Sequence, residues 1–190
     1  MKMDEMLKTG LLPDEKILWR GKAEPFTTLD KTHKKRFIIC AGIGLLITAL
    51  VAVAYFAAVA RGGLQAKPFV LLIVLLLCGI PAFNMLGDAS KLKKMEYVVT
   101  DQRLIILRDS LRPMPFKAIQ EAGFRTDDDG HVSLLCGKDA LKAKADKWRE
   151  ICVVGQSAAD GSDVCSRFVF YAPADLKGLK AALKDRLPII

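Results

Sequence analysis

Phe37 to Ala60 reads FIICAGIGLLITALVAVAYFAAVA and contains no charged residue. As a helix this stretch would be roughly 36 Å long, enough to cross a hydrocarbon core of about 30 Å. A second uncharged stretch, PFVLLIVLLLCGIPAFNML from Pro68 to Leu86, would reach roughly 28 Å. A chain of 190 residues has too little polar surface to enclose both stretches. We therefore predict two transmembrane helices, at 37–60 and 68–86.

The connection between the two stretches is short, since only RGGLQAK, Arg61 to Lys67, separates them. The helices must then form an antiparallel hairpin whose outer ends lie on one side of the membrane. Lysine and arginine beside membrane helices are retained in the cytoplasm. The outer ends are richer in these residues than the connection, and we expect both termini to be cytoplasmic. The flanking cations are Lys31, Lys34, Lys35, Arg36, Lys91, Lys93 and Lys94.

Two sets of hairpin residues are candidates for contacts outside the chain. Cations beside a bilayer attract anionic headgroups by about 1 kcal/mol each near the surface, so non-specific lipid contact is expected at Lys34, Lys35, Arg36, Lys91, Lys93 and Lys94. Small residues allow helices to approach closely. Gly44, Thr48, Ala54 and Ala58 could therefore dock a partner helix, or pack on the second helix of the same hairpin.

The sequence after the hairpin, 87–190, predicts a β-rich domain, and 1–36 forms a segment that precedes the helices. MEYVVT and RLIILR, Met95 to Thr100 and Arg103 to Arg108, are joined by two residues, which is typical of a β-hairpin. Leucines spaced three and four apart predict a terminal amphipathic helix over 174–187. Such a series suggests a curved sheet or small barrel with its end covered. Further strands are predicted at 116–125, 131–136, 149–154 and 164–171, with a solvated insertion at 137–147.

Two motifs carry a family resemblance. Tyr97 to Ile106, YVVTDQRLII, and Leu11 to Gly21, LLPDEKILWRG, resemble the paired signatures of bacterial pleckstrin-homology-like domains in small membrane proteins. The motif residues are Trp19, Gly21, Tyr97, Thr100 and Arg103. The resemblance implies a seven-stranded, two-sheet barrel capped by the C-terminal helix. Because six strand candidates follow the hairpin, we predict that Ile17 to Gly21 supplies another. The overall class is a membrane α+β protein.

Two motif positions have alternative interpretations. Trp19 is either an interfacial anchor or a core residue. The turn from Thr100 to Arg103 either binds a lipid headgroup or acidic peptide, or is a purely structural turn.

Catalytic, cofactor and metal signatures are not evident in the sequence. The 125–136 segment does not fit a calcium loop, and the histidines and five cysteines lack zinc-ligand spacing. We expect the cysteines to be reduced and buried. The net charge of +8 is largely beside the predicted membrane helices and lacks interleaved aromatic residues, which argues against nucleic acid. No enzyme activity, cofactor or metal is expected.

These features predict a membrane-tethered, non-enzymatic interaction or scaffold module at the inner face of a bacterial membrane, with other membrane proteins as partners. The alternative is an accessory or assembly subunit of a respiratory or photosynthetic complex. A lipid-modifying enzyme is a third class, with the least support from the residues.

Overall fold

A computed structural model describes residues 3–62, 67, 69–154, 157–158 and 164–189. The predicted helix start at Pro68 and the 63–66 part of the connection lie outside this range. The helices are α1 (Met3–Gly10), α2 (Lys31–Ala60), α3 (Phe69–Leu92), α4 (Lys138–Lys142), α5 (Trp148–Val154) and α6 (Leu176–Leu183). The strands are β1 (Ile17–Lys22), β2 (Glu96–Thr100), β3 (Arg103–Leu107), β4 (Leu111–Pro115), β5 (Ala122–Thr126), β6 (Val132–Cys136), β7 (Ser157–Ala158) and β8 (Cys165–Phe170).

Helices α2 and α3 are long and apolar enough to cross a membrane, and they are not the core of a soluble domain. Only 6% of the most hydrophobic window in each helix is buried. Leu45, Leu50 and Phe83 are between 62% and 65% exposed. Both helices extend beyond the uncharged stretches: α2 begins at Lys31 because the Asp30 carboxylate caps its first turn, and α3 continues to Leu92. The start of α2 and the end of α3 therefore both lie inside the folded domain.

Helices α2 and α3 approach closely at Gly44. A Cβ atom added at Gly44 would lie 2.7 Å from the carbonyl oxygen of Cys78 in α3. Two residues away, a Cβ at Gly42 would meet no atom within 4 Å. Glycine at position 44 thus allows the two backbones to touch, as small residues do in membrane helix pairs.

Strands β1 to β4 form the first antiparallel sheet, in sequence order. The strand predicted at Ile17 to Gly21 is present as β1 and pairs with β2, with Trp19 opposite Val99. Strand β4 was not predicted, because its Pro113 and Pro115 are unfavourable in a strand interior. It lies at the edge of the sheet, where proline is tolerated.

The second antiparallel sheet has the strand order β5-β6-β8-β7 and packs against the first across a shared core. Phe168, Phe170 and Tyr171 are fully buried in this core, and Leu179 and Leu183 of α6 cover it. The sheets do not close into a barrel, so the barrel form of the prediction is wrong, while its two-sheet form is present. The connection β1 to α2 links the sheets through an isolated Ala23–Pro173 bridge.

Three local predictions are wrong. The 149–154 run is helix α5 rather than a strand, because Ile151, Cys152 and Val153 are buried when the segment packs as a helix between α3 and β8. The 116–125 strand is split into a short 3-10 turn and β5. The terminal helix stops at Leu183 instead of 187, since Lys184 has an extended ψ of 130° and Asp185 has a φ of 62°, and neither fits a helix.

The 137–147 segment is only partly solvated, and the N-terminus forms an unpredicted helix. Ala140 of α4 is fully buried against the core. Helix α1 covers the outer face of the first sheet, where Leu7 packs with Val98, Ile105 and Leu107. The central strands β2 and β3 are therefore buried on both faces.

Candidate functional site

The apolar helices enter the β domain without a flexible linker. Ala89 and Leu92 in the last turns of α3 are fully buried in the domain core. Lys93 and Lys94 make a tight turn, and Met95, also fully buried, leads directly into β2. The orientation of the domain on the hairpin is therefore fixed by packing. We call this region, where α2, α3 and α5 meet, the junction.

A buried ion pair holds the start of α2. The side chains of Asp30 and Arg149 are each 4% exposed, and the Arg149 guanidinium donates to Asp30 Oδ2. The other oxygen, Asp30 Oδ1, accepts from the backbone N–H of His33 at 3.0 Å and from its Nδ1 at 2.7 Å. One carboxylate therefore caps α2, orients a histidine and neutralises an arginine that belongs to α5.

Arg149 also binds the connection between β1 and α2. Its Nη1 donates to the carbonyl oxygens of Thr27 and Thr28 at 3.3 and 3.0 Å, and its Nη2 donates to the Tyr171 hydroxyl at 3.1 Å. The guanidinium carbon lies 4.3 Å from the ring centre of Phe26 and 5.0 Å from that of Tyr171. Arginine suits this position because its planar group both stacks on rings and donates in several directions.

Two aspartates before β6 extend the network to the sheets. Tyr171 donates to Asp127 Oδ2 at 3.0 Å. The Asp129 carboxylate accepts from the Lys31 N–H at 3.1 Å and from the Thr32 N–H and hydroxyl at 2.8 and 2.7 Å. Burial alone would raise the pKa of Asp129, but these hydrogen bonds lower it to about 2. The first turn of α2 is thus bound to both α5 and the second sheet.

His33 has one ring nitrogen inside the junction with no partner among the residues that the structure describes. Because Nδ1 donates to Asp30, Nε2 is the acceptor atom of the neutral ring. Together with Asp88 and Asp146, the ring lines a cavity of about 20 Å³. Burial, followed by the charge of Arg149, lowers the pKa of His33, although Asp30 opposes this. The histidine is therefore neutral near pH 7.

Arg36 joins α2 to α5 at the last polar position before the uncharged stretch. Its Nη1 donates to the Asp146 carbonyl at 2.8 Å, and its Nη2 lies 2.9 Å from Glu150 Oε2. Burial would raise the pKa of Glu150, but hydrogen bonds from Arg36 and Lys147 lower it. Arg36 is thus half-buried and paired within the chain.

The remaining predicted cations differ in availability. Lys91 lies 3.4 Å from Asp88, and the Lys93 ammonium lies 5.5 Å from the ring centre of Phe26. Lys34, Lys35 and Lys94 are exposed and form no ion pair within the described part of the chain. These three keep their full charge available to a ligand.

The two motifs that carried the family resemblance meet in space. Glu15 Oε1 accepts from the Thr100 hydroxyl at 2.7 Å and from Arg103 Nε at 2.8 Å, and Glu15 Oε2 lies 2.7 Å from Arg103 Nη2. Burial would raise the pKa of Glu15, but the hydrogen bonds from Arg103, the Leu12 N–H and Thr100 lower it. The Thr100–Arg103 turn is therefore engaged internally, as its structural interpretation expects.

The other motif residues have packing roles. Trp19 is 8% exposed and its Nε1 donates to Asp175 at 3.0 Å, so it is a core residue that contacts α6. A Cβ at Gly21 would lie 2.4 Å from the Trp19 ring, which explains the glycine two residues after the tryptophan. Tyr97 is fully buried and donates to the Tyr171 carbonyl at 2.9 Å.

The predicted helix-docking face is divided. Gly44 is buried against α3, and the Thr48 hydroxyl donates to the Gly44 carbonyl at 2.9 Å. Ala58 is half-buried, and Ala54 is exposed. Gly44 therefore serves the hairpin itself, and Ala54 is the one member of this set that is exposed.

Sequence reasoning did not identify Asp30, His33, Arg149 or Glu15 as site residues. Asp30 three residues before His33 is a helix-start signal that could have been found. Arg149 carried no such signal, since its partner Asp30 is 119 residues away. No group of three metal-ligating side chains occurs among the described residues.

Comparison of the chain with protein-family models, with curated proteins and with solved structures finds no match in any of the three. The geometry of the junction is therefore the basis for the function proposed below.

Proposed function

We propose that the protein is a membrane-tethered, non-enzymatic interaction or scaffold module at the inner face of a bacterial membrane. The observation that carries this proposal is the junction, in which buried Arg149 and half-buried Arg36 hold the β domain directly against the ends of α2 and α3. A domain docked in this way presents the same surfaces to every neighbour in the membrane. Tethering also raises the effective concentration of a weak binding surface.

A pleckstrin-homology-like origin of the domain is part of the proposal. Two packed four-stranded sheets and a covering C-terminal helix support it. So does the contact between the two sequence motifs, which meet at Glu15 and Arg103. Such folds are binding platforms, and fold alone does not identify a partner.

The proposed orientation places the head on the cytoplasmic side. The cations Lys34, Lys35 and Lys94 all lie at the end of the hairpin that enters the β domain. In a membrane they would lie at the headgroup level and attract anionic lipid. Other membrane proteins are the proposed partners of the docked head.

Co-purification in mild detergent tests the proposal. We expect the full chain to retain one or more membrane proteins, and the Arg149→Met variant to lose them because its head is no longer fixed on the hairpin. Arg167→Met is the matched control, since Arg167 is exposed on β8 and outside the junction. A chain that repeatedly emerges alone, under conditions that preserve other membrane complexes, would contradict the proposal.

An accessory or assembly subunit of a respiratory or photosynthetic complex is the second candidate. The exposed position of Ala54, a small residue in the last third of α2, favours it, because a larger subunit could approach closely there. Ala54→Leu should then weaken association with the complex while the head remains folded. Unchanged association would remove this candidate.

A further inference from the structure

A groove of about 340 Å³ lies beside α2, where that helix leaves the β domain. Its walls come from the start of α2, from the turn before β6 and from the segment between α4 and α5. Lys35 and Ile39 line it from α2, and Asp128 and Lys144 line it from the domain. The groove is separate from the small junction cavity beside His33.

The two α2 residues place the groove at a boundary between polar and apolar surroundings. Lys35 lies two residues before the uncharged stretch that begins at Phe37, and Ile39 lies within that stretch and is 50% exposed. If α2 crosses a bilayer, Lys35 lies at headgroup level and Ile39 lies at the start of the acyl chains. The groove then opens towards lipid.

The charges in the groove fall into an ion-paired set and a free set. Arg36 and Asp146 also line the groove, but their side chains are 3.7 Å apart and Arg36 is further bound to Glu150. Lys35, Lys144 and Asp128 are exposed, and none of them forms an ion pair in the described part of the chain. Two free ammonium groups and one free carboxylate therefore face one groove.

We propose that this groove binds the headgroup of a phospholipid that carries both a phosphate and a primary amine, as in phosphatidylethanolamine. This inference rests on the proposed membrane location and adds a specific lipid to it. Lys35 and Lys144 bind the phosphate as point charges. Asp128 accepts hydrogen bonds from the lipid ammonium, and Ile39 contacts the first part of an acyl chain. Charge complementarity selects this occupant over a purely anionic headgroup, which brings no cation to Asp128.

Native mass spectrometry of the full chain in mild detergent tests the groove, with phosphatidylethanolamine, phosphatidylcholine or phosphatidylglycerol added. Each lysine has a control lysine that is also exposed and lies outside the groove: Lys31 for Lys35, and Lys142 for Lys144. We expect Lys35→Gln and Lys144→Gln each to weaken phosphatidylethanolamine binding about fivefold, from about 1 kcal/mol per charge. Lys31→Gln and Lys142→Gln should leave it unchanged. Equal weakening by all four changes would show a general attraction of lipid to the charged surface and would overturn the proposal that the groove is a binding site.

Asp128 tests the choice of lipid. The unaltered chain should prefer phosphatidylethanolamine to phosphatidylcholine, whose quaternary amine cannot donate a hydrogen bond, and Asp128→Asn should remove this preference. Equal binding of both lipids by the unaltered chain would refute the ammonium contact. Glycerophosphoethanolamine, which has no acyl chain, should not compete at equal concentration. If it competes fully, the ligand is a soluble phosphate ester and the lipid assignment is wrong.

Carbonate extraction of membranes that contain each variant separates this inference from the function on which it rests. If the chain stays in the membrane but shows no lysine-specific lipid binding, the groove proposal fails while the membrane location stands. A chain that carbonate releases would overturn the membrane location, and the groove proposal with it.

Discussion

Replacement of Arg149 by methionine should destabilise the junction more than any other single change there. The guanidinium is the partner of Asp30, and both side chains are 4% exposed. Arg149→Met leaves the Asp30 carboxylate buried with only His33 to bind it, and it also removes the donors to the Thr27 and Thr28 carbonyls. Breaking a buried pair by removing one partner costs about 3–5 kcal/mol.

The expected loss corresponds to a large shift in thermal unfolding. At about 2–4 °C per kcal/mol for a chain of 150–250 residues, Arg149→Met should lower the Tm by roughly 10 °C. Arg149→Lys keeps the charge but loses the stacking on Phe26 and the forked donor set. Its Tm should therefore lie between those of the parent chain and Arg149→Met. The double variant Asp30→Asn with Arg149→Met should be more stable than Arg149→Met alone, because no unpaired carboxylate remains.

Tryptophan fluorescence of the full chain in mild detergent measures these differences, since Trp148 is buried and precedes Arg149 directly. The control is Arg167→Met, which changes an exposed arginine and should shift the Tm by less than about 2 °C. An Arg149→Met variant within about 1 kcal/mol of the parent would refute the reasoning. So would a double variant that is no more stable than the single one.

Three further predictions concern single positions. Gly44→Ala should destabilise the helix pair by about 1–3 kcal/mol, because its Cβ would meet the α3 backbone at 2.7 Å, while Gly42→Ala should not; unfolding in a denaturing detergent compares them. Gly21→Ala should cost a similar amount and change Trp19 fluorescence, since its Cβ would lie 2.4 Å from that ring. The folded pKa of His33 is below its usual 6.5, so the unfolded chain binds more protons and stability falls as the pH drops below 6.5. His33→Gln should flatten that part of a Tm-against-pH curve, and an unchanged slope would contradict the assignment.

The sequence predicted elements whose signal is local and missed those that depend on distant contacts. Two uncharged stretches were sufficient to predict α2 and α3, and the two-residue turn was sufficient for the β2–β3 hairpin. The 149–154 run has a strand-like composition, yet packing between α3 and β8 makes it helical, which is tertiary context overriding propensity. Strand β4 was hidden by its own prolines.

The candidate site was harder to predict than the fold. The flanking lysines were visible because they adjoin the uncharged stretches. Arg149 resembled any charged residue in a β-rich region, and nothing in its neighbourhood indicates that it becomes 3% exposed. Its hydrogen-bond partners Asp30 and Tyr171 come from separate parts of the chain, so the site exists only once both sheets have packed.

Membrane topology is the most direct test of the central claim, that α2 and α3 cross a bilayer as a hairpin with the head on the cytoplasmic side. Single cysteines at exposed positions, Arg61→Cys in the connection and Lys184→Cys after α6, are labelled with a membrane-impermeant maleimide in spheroplasts. Buried Cys136, Cys152 and Cys165 should not react, and neither should Cys40 and Cys78, which lie within the apolar parts of α2 and α3. The account predicts that the Arg61→Cys chain is labelled in intact spheroplasts and the Lys184→Cys chain only after lysis. Labelling of the Lys184→Cys chain in intact spheroplasts, failure to label the Arg61→Cys chain there, or recovery of the chain in the soluble fraction would contradict it.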